Sequence, residues 1–87
     1  MKKIMIVDDD QHINEMLRER LTEEGYEVIA AYSGTEAQMF LSGHKPDLIL
    51  LDLMLPGLSG EELMMQITGV PVIVLSAKAD MYESGMR

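Results

Sequence analysis

The sequence contains no cysteine. Without cysteine the protein has no disulfide bond and no thiolate ligand for a metal such as zinc. Any metal ion must therefore be bound by oxygen atoms or by the two histidines of the chain. This restriction favours hard cations, which prefer oxygen ligands.

Basic residues are also scarce. Seven lysine and arginine residues stand against fifteen aspartate and glutamate residues, so the formal net charge is -8. Such a charge opposes the phosphate backbone of nucleic acids, and the sequence has no stripe of basic residues to overcome it. We therefore expect that this segment makes no direct contact with nucleic acid.

Long apolar runs are missing as well. No stretch reaches the roughly 20 apolar residues that a transmembrane helix requires. Three aspartates interrupt the apolar start Ile4–Val7, which is too short for a signal peptide. We expect no membrane contact and a cytoplasmic location, and the 87 residues leave room for one small domain.

Short apolar runs, in contrast, recur along the chain without polar alternation. There are four of them, at Ile4–Val7, Val28–Tyr32, Leu48–Leu51 and Val72–Leu75. Continuous runs of isoleucine, valine and leucine are typical of strands that are buried on both faces of a parallel sheet. The pattern predicts four such strands.

A first helix is predicted between the first two strands. Asp10 precedes the segment as a helix cap would, and Gly25 follows it as a helix stop would. The apolar residues between them recur at helical spacing and form a stripe of four, Ile13, Met16, Leu17 and Leu21.

Two further helices are predicted by their start signals. Ser33–Glu36 and Ser59–Glu62 fit the capping box, in which a serine precedes a glutamate by three residues. Gly43 and Gly69 stand where these helices should end. The alternation predicts an α/β fold with a doubly wound parallel sheet, because right-handed crossovers place helices on both of its faces.

Candidate ligand-binding side chains follow the first, third and fourth predicted strands. Asp8, Asp9 and Asp10 come after the first strand, Asp52 after the third, and Ser76 after the fourth. Ligands of doubly wound sheets bind at these carboxyl ends. Carboxylates crowded there repel one another unless a cation joins them, so the pattern predicts a Mg²⁺ site, with Mn²⁺ as a substitute.

Three segments carry a resemblance to a known family. They are residues 4–10, residues 48–57 and residues 72–77. In this order they resemble three signatures of the response-regulator receiver domain. The resemblance implies a flavodoxin-like receiver fold. It also implies that residues 1–87 form a partial receiver domain with four strands, three helices and the start of a fourth helix.

The resemblance also implies roles for individual residues. Asp52 would accept a phosphoryl group from a histidine kinase or a phosphotransfer protein, and Ser76 would donate a hydrogen bond to a phosphoryl oxygen. Asp9, Asp52 and the main-chain carbonyl of Met54 would bind Mg²⁺, with Asp8 supporting the ion through water. The domain would be a regulatory module of two-component signalling and not an enzyme.

The family places part of the kinase-docking face on its first helix. Here that helix begins with residues that would contribute to such a face, namely Gln11, His12, Ile13, Asn14 and Met16. The phosphoryl-donating histidine itself would belong to another protein.

A complete receiver has five βα units, whereas this sequence reaches Arg87 within or just before the fourth helix. The resemblance therefore implies a truncated domain without the lysine that follows strand five. Lys78 is a poor replacement, because its position in the family lies on a mobile loop. The apolar segment Val70–Leu75 would form an exposed sheet edge, so we expect a homodimer or an exchanged-segment oligomer.

Two other functions are compatible with parts of the sequence. The first is a receiver-like fragment that folds or self-associates but does not accept phosphate. The second is a phosphatase of the haloacid-dehalogenase type with Asp8 as nucleophile, because Asp8, Asp10 and Ser76 resemble two motifs of that family. The second gives Asp52 no role, and the lysine and acidic pair that the family also needs are not visible.

Overall fold

The computed structural model describes residues 2–55 and 58–75. Strands and helices alternate in this part of the chain, in the order β1 (Lys3–Val7), α1 (Gln11–Glu23), β2 (Glu27–Ala31), α2 (Gly34–Leu41), β3 (Leu48–Leu51), α3 (Gly60–Gln66) and β4 (Val72–Val74). The predicted alternation is confirmed, and each predicted strand end agrees to within one residue. The predicted start of a fourth helix lies outside the described residues.

The four strands form one parallel sheet in the order β2-β1-β3-β4. From β1 the chain moves to β2 on one side, and it then crosses to β3 on the other side. The direction of winding therefore reverses between β1 and β3, and such a reversal opens a crevice at the carboxyl ends of the two strands. The predicted doubly wound parallel sheet is confirmed, and its strand order is that of a flavodoxin-like fold.

The core lies between the sheet and the helices α2 and α3. Its fully buried members are Met5, Val7, Ala31, Ala37, Ile49, Leu51 and Leu63. Because side chains alternate along a strand, Ile4 and Ile6 point to the opposite face. Right-handed connections place α1 on that opposite face, where it packs against β1 and β2.

Side-chain caps set the first residues of α1 and α3. The Asp10 carboxylate accepts a hydrogen bond of 3.1 Å from the main-chain N–H of Ile13. Ser59 and Glu62 form a complete capping box, in which each side chain accepts a bond of 3.1 Å from the other residue's N–H. A cap of this kind stabilises a helix by about 1 kcal/mol, and it fixes where the helix starts beyond its strand.

The start of α2 differs from the predicted capping box. The Ser33 hydroxyl accepts from the N–H of Glu36 at 3.0 Å, as predicted. The Glu36 carboxylate, however, accepts from the N–H of Tyr32 at 2.7 Å. The glutamate therefore binds the backbone one residue before the cap, and it ties the helix to the end of β2.

The three glycines predicted to end helices behave differently from one another. Gly25 and Gly69 have φ angles of 97° and 77°, which other residues rarely adopt. Gly25 directly follows Glu24, the C-cap of α1. Gly43 has no such angle, and it follows Ser42, the C-cap of α2.

The prediction that all four strands are buried on both faces is wrong for the edge strands. β4 lies at one edge of the sheet, and its residues Ile73 and Val74 are 51% and 40% exposed. β2 lies at the other edge, where Glu27 is exposed. Four consecutive residues of the central strand β1 are buried, because α1 packs on one face of the strand and the core with α2 and α3 lies on the other. Among the described residues, no helix has the length and apolar character needed to cross a bilayer.

Candidate functional site

Three carboxylates meet at the crevice between β1 and β3. Asp8 and Asp9 follow β1, and Asp52 follows β3 at the same level of the sheet, since Val7 pairs with Leu51. The structure brings one oxygen of each of the three side chains within 4.8 Å of the others. We call Asp8, Asp9 and Asp52 the acidic site.

The acidic site is largely withdrawn from solvent. Asp8 and Asp52 are each 1% exposed, whereas Asp9 is exposed. Placing buried carboxylates close together is unfavourable unless a cation compensates their charge. Carboxylate oxygens on a partly open site are the donor set that Mg²⁺ prefers, so these residues fit that ion.

Main-chain N–H groups orient the two buried carboxylates. Asp8 accepts a hydrogen bond of 2.9 Å from the N–H of Asp10, and Asp52 accepts one of 3.0 Å from the N–H of Met54. Both bonds span two residues, as in the Asx turns that commonly begin a loop. The Met54 backbone therefore lies beside Asp52, while a role of its carbonyl group as a metal ligand stays a prediction.

A buried asparagine lies beside the site. Asn14 of α1 is 0% exposed, so its predicted place on a docking face is wrong. It lies three and seven residues before Leu17 and Leu21, which is the spacing of one helix face. This spacing is the sequence signal that predicts Asn14 on the same helix face as the two leucines. Met16, which was predicted to be part of the apolar stripe, is 60% exposed instead.

Two glycines allow the helices to approach the loop that follows Asp52. A Cβ atom on Gly60 would lie 2.5 Å from the Cα atom of Leu53 and 2.7 Å from the carbonyl oxygen of Asp52. A Cβ atom on Gly34 would overlap the carbonyl oxygen of Leu58. No local signal in the sequence predicts this requirement, although each glycine directly follows a predicted serine cap.

Asp47 lies apart from the acidic site, and two residues considered in the sequence lie beyond the described part of the chain. The Asp47 carboxylate accepts a hydrogen bond of 2.8 Å from the N–H of Lys3, at the amino end of β1. It therefore belongs to the opposite end of the sheet. Ser76 and Lys78 lie outside the described residues.

Solved structures that resemble this fold come from several organisms. A signal receiver domain of a signal transduction histidine kinase from Syntrophus aciditrophicus is 36% identical, with a TM-score of 0.80 over 86% of this chain and 61% of that chain. The N-terminal domain of an uncharacterized Wolinella succinogenes protein is 34% identical, with a TM-score of 0.84 over 88% and 65%. The chain thus spans less than two thirds of the length of each of these two chains.

The match to a third solved structure extends over nearly the full length of both chains. The response regulator protein TrrA from Thermotoga maritima, solved in complex with Mg²⁺ and BeF, is 30% identical. Its TM-score is 0.75 over 99% of this chain and 96% of that chain.

The sequence matches the model of a protein family over almost its whole length. The family is described as the response regulator receiver domain, and the match covers residues 4–86. This match agrees with the fold, the sheet order and the acidic site at the carboxyl ends of β1 and β3. The chain therefore belongs to the response regulator receiver domain family and is a receiver domain of two-component signalling.

Proposed function

We propose that Asp52 accepts a phosphoryl group from a histidine kinase or a phosphotransfer protein. The observation that carries the proposal is the convergence of three carboxylates within 4.8 Å, two of them buried, at the crevice of the sheet. Asp9, Asp52 and the main-chain carbonyl of Met54 would bind Mg²⁺, with Asp8 supporting the ion through water. Mn²⁺ would be a substitute of the same coordination chemistry.

In the proposed reaction an oxygen of Asp52 attacks the phosphorus atom of the donor. A new P–O bond forms, the P–N bond to the donor histidine breaks, and the imidazole leaves with the electron pair. The product is an acyl phosphate on Asp52. The hydrogen bond from Met54 holds the attacking carboxylate in position. When bound, Mg²⁺ supplies the positive charge that offsets the charge of the carboxylates and the phosphoryl oxygens.

The comparison with TrrA supports the choice of ion. That protein, which covers nearly the same length, was solved with Mg²⁺ and BeF. We extend the ion to this chain because its carboxylates supply the oxygen ligands that magnesium prefers. Ser76 is proposed to donate a hydrogen bond to a phosphoryl oxygen, on the strength of the family resemblance.

Three further assignments accompany this proposal. The exposed residues Gln11, His12 and Met16 at the start of α1 would contribute to the kinase-docking face. The phosphoryl transfer would take place in the cytoplasm.

The exposed edge residues Ile73 and Val74 of β4 would support self-association with a second copy, as a homodimer or an exchanged-segment oligomer.

The proposal is tested by intact-mass spectrometry after incubation with a small-molecule phosphodonor, with and without Mg²⁺. We expect one phosphoryl adduct on the wild type, dependent on Mg²⁺ and absent from Asp52→Ala. The matched control is Asp47→Ala, which removes a carboxylate at the opposite end of the sheet and should leave the adduct unchanged.

Two results would contradict the proposal. An adduct of equal yield on Asp52→Ala would move the acceptor to another residue. No adduct on a wild type whose circular dichroism shows a folded protein would favour the alternative, a receiver-like fragment that does not accept phosphate. The phosphatase alternative predicts release of inorganic phosphate that depends on Asp8, and this is measured in the same samples.

A further inference from the structure

Asn14 is a buried polar residue in α1 whose amide group binds two main-chain carbonyl groups. Its Nδ2 atom donates to the carbonyl oxygen of Asp8 at 3.0 Å and to that of Ala31 at 2.9 Å. Carbonyl oxygens only accept hydrogen bonds, so these contacts determine the orientation of the amide. The amide oxygen is buried and has no hydrogen-bond partner within the described part of the chain.

These contacts hold the peptide group between Asp8 and Asp9. The Asp8 carbonyl belongs to that planar group, and Asn14 binds it from the helix side. The N–H of Asp8 donates to the carbonyl of Ala31 at 3.1 Å, so the residue is held on both sides. The direction in which Asp9 leaves the sheet thus depends on Asn14.

A buried asparagine at this position lowers the stability of the fold, so a purely structural role does not account for Asn14. Asparagine is a poor residue for a helix interior, and its buried amide oxygen lacks a partner among the described residues. Asp9 directly follows the Asp8 carbonyl that Asn14 binds, so the position of its backbone is coupled to Asn14. Residues that orient metal ligands are often retained for such a reason.

We propose that Asn14 is a positioning residue that sets the affinity of the acidic site for Mg²⁺ by fixing the peptide group between Asp8 and Asp9. This inference rests on the proposed function, because it requires the acidic site to bind Mg²⁺. It concerns the geometry of the ligands before phosphoryl transfer, and it gives Asn14 no contact with the phosphoryl group.

The test compares Mg²⁺ binding by calorimetry in the wild type, Asn14→Ala and the control Ile4→Val. Ile4 is buried at the amino end of β1, so the control alters packing far from the acidic site. We expect Asn14→Ala to weaken Mg²⁺ binding about 10-fold, as loss of a ligand-orienting partner typically does. The control should bind as the wild type does, and saturating Mg²⁺ should restore the phosphoryl adduct of Asn14→Ala.

A purely structural role for Asn14 predicts a different result. Asn14→Ala would then unfold at lower denaturant concentration, but the folded protein would bind Mg²⁺ within twofold of the control, and this result would overturn the inference alone. A folded wild type that binds no Mg²⁺ would overturn both this inference and the metal site on which it rests.

A measurement on the wild type keeps the inference testable if Asn14→Ala does not fold. The two side-chain amide protons of Asn14 are followed by NMR during titration with Mg²⁺. Because Asn14 is coupled to the metal ligands, we expect these signals to shift with the same midpoint as the main-chain signal of Asp9. Signals that stay unchanged while the signal of Asp9 moves would overturn the inference.

Discussion

At the scale of single residues, the central feature is the crowding of three carboxylates. Asp8 and Asp52 are buried beside each other, and Asp9 completes the group from the exposed side. Two main-chain N–H groups offset part of this charge. A divalent cation that binds only the folded state should therefore stabilise the protein.

We predict that Mg²⁺ raises the melting temperature of the wild type. A ligand at 100 times its dissociation constant stabilises the folded state by about 2.7 kcal/mol. Asp9→Ala should lose most of this increase while it still folds, because Asp9 is exposed. The shift is measured by thermal denaturation with MgCl₂, against NaCl of equal ionic strength, and chelation of Mg²⁺ should reverse it.

The control for this prediction is Asp47→Ala, whose carboxylate lies at the other end of the sheet. It should keep the full response to Mg²⁺. An equal response in Asp9→Ala and Asp47→Ala would show that the ion binds elsewhere or screens charge without a specific site.

At the scale of secondary structure elements, α2 and α3 each start close to main-chain atoms of another segment. Each helix begins with a serine cap followed by a glycine, Gly34 or Gly60. Gly34 lies against the carbonyl group of Leu58, and Gly60 lies against the main chain of Asp52 and Leu53. Because glycine has no Cβ atom, the helices can start this close to the main chain.

We predict that Gly60→Ala lowers the free energy of unfolding by about 1–3 kcal/mol, the usual penalty for overpacking. The added methyl group would lie 2.5 Å from a main-chain atom of Leu53, so the helix or the loop must move. The control is Gly43→Ala, which has open space around it and no left-handed φ angle. Denaturant titration should show a near-neutral control, and two variants of equal stability would contradict the prediction.

At the scale of the whole molecule, the sheet formed by the described residues has an apolar edge. β4 is an edge strand of three residues, and Ile73 and Val74 are half-exposed there. Edge strands of this type pair with other chains unless charged residues or other segments protect them. The proposed self-association follows from this edge.

We predict that sedimentation at increasing protein concentration detects a dimer or a larger exchanged-segment oligomer. Ile73→Lys should shift the equilibrium to the monomer, because it places a charge on the edge strand. The control Met39→Lys changes an apolar residue that is 68% exposed on α2, and it should not alter the assembly. A wild type that stays monomeric at high concentration would contradict self-association.

The sequence by itself determined the elements and the composition of the acidic site. Apolar runs of four to five residues, rich in isoleucine, valine and leucine and separated by helix signals, mark the strands of a parallel sheet. Serine caps mark the helix starts through bonds that span three residues. The carboxyl ends of β1 and β3 must lie together in this topology, so Asp8, Asp9 and Asp52 were predictable.

Tertiary structure alone decided which residues are buried and which contacts they make across the fold. The carbonyls of Asp8 and Ala31 come together only when β2 pairs with β1, so no local pattern reveals that Asn14 binds both. The exposure of Ile73 depends on the position of β4 in the sheet, and the need for glycine at Gly60 depends on the approach of α3 to the loop after Asp52. These properties arise from contacts between segments that are distant in sequence, and they are therefore absent from the local signals of capping, periodicity and composition.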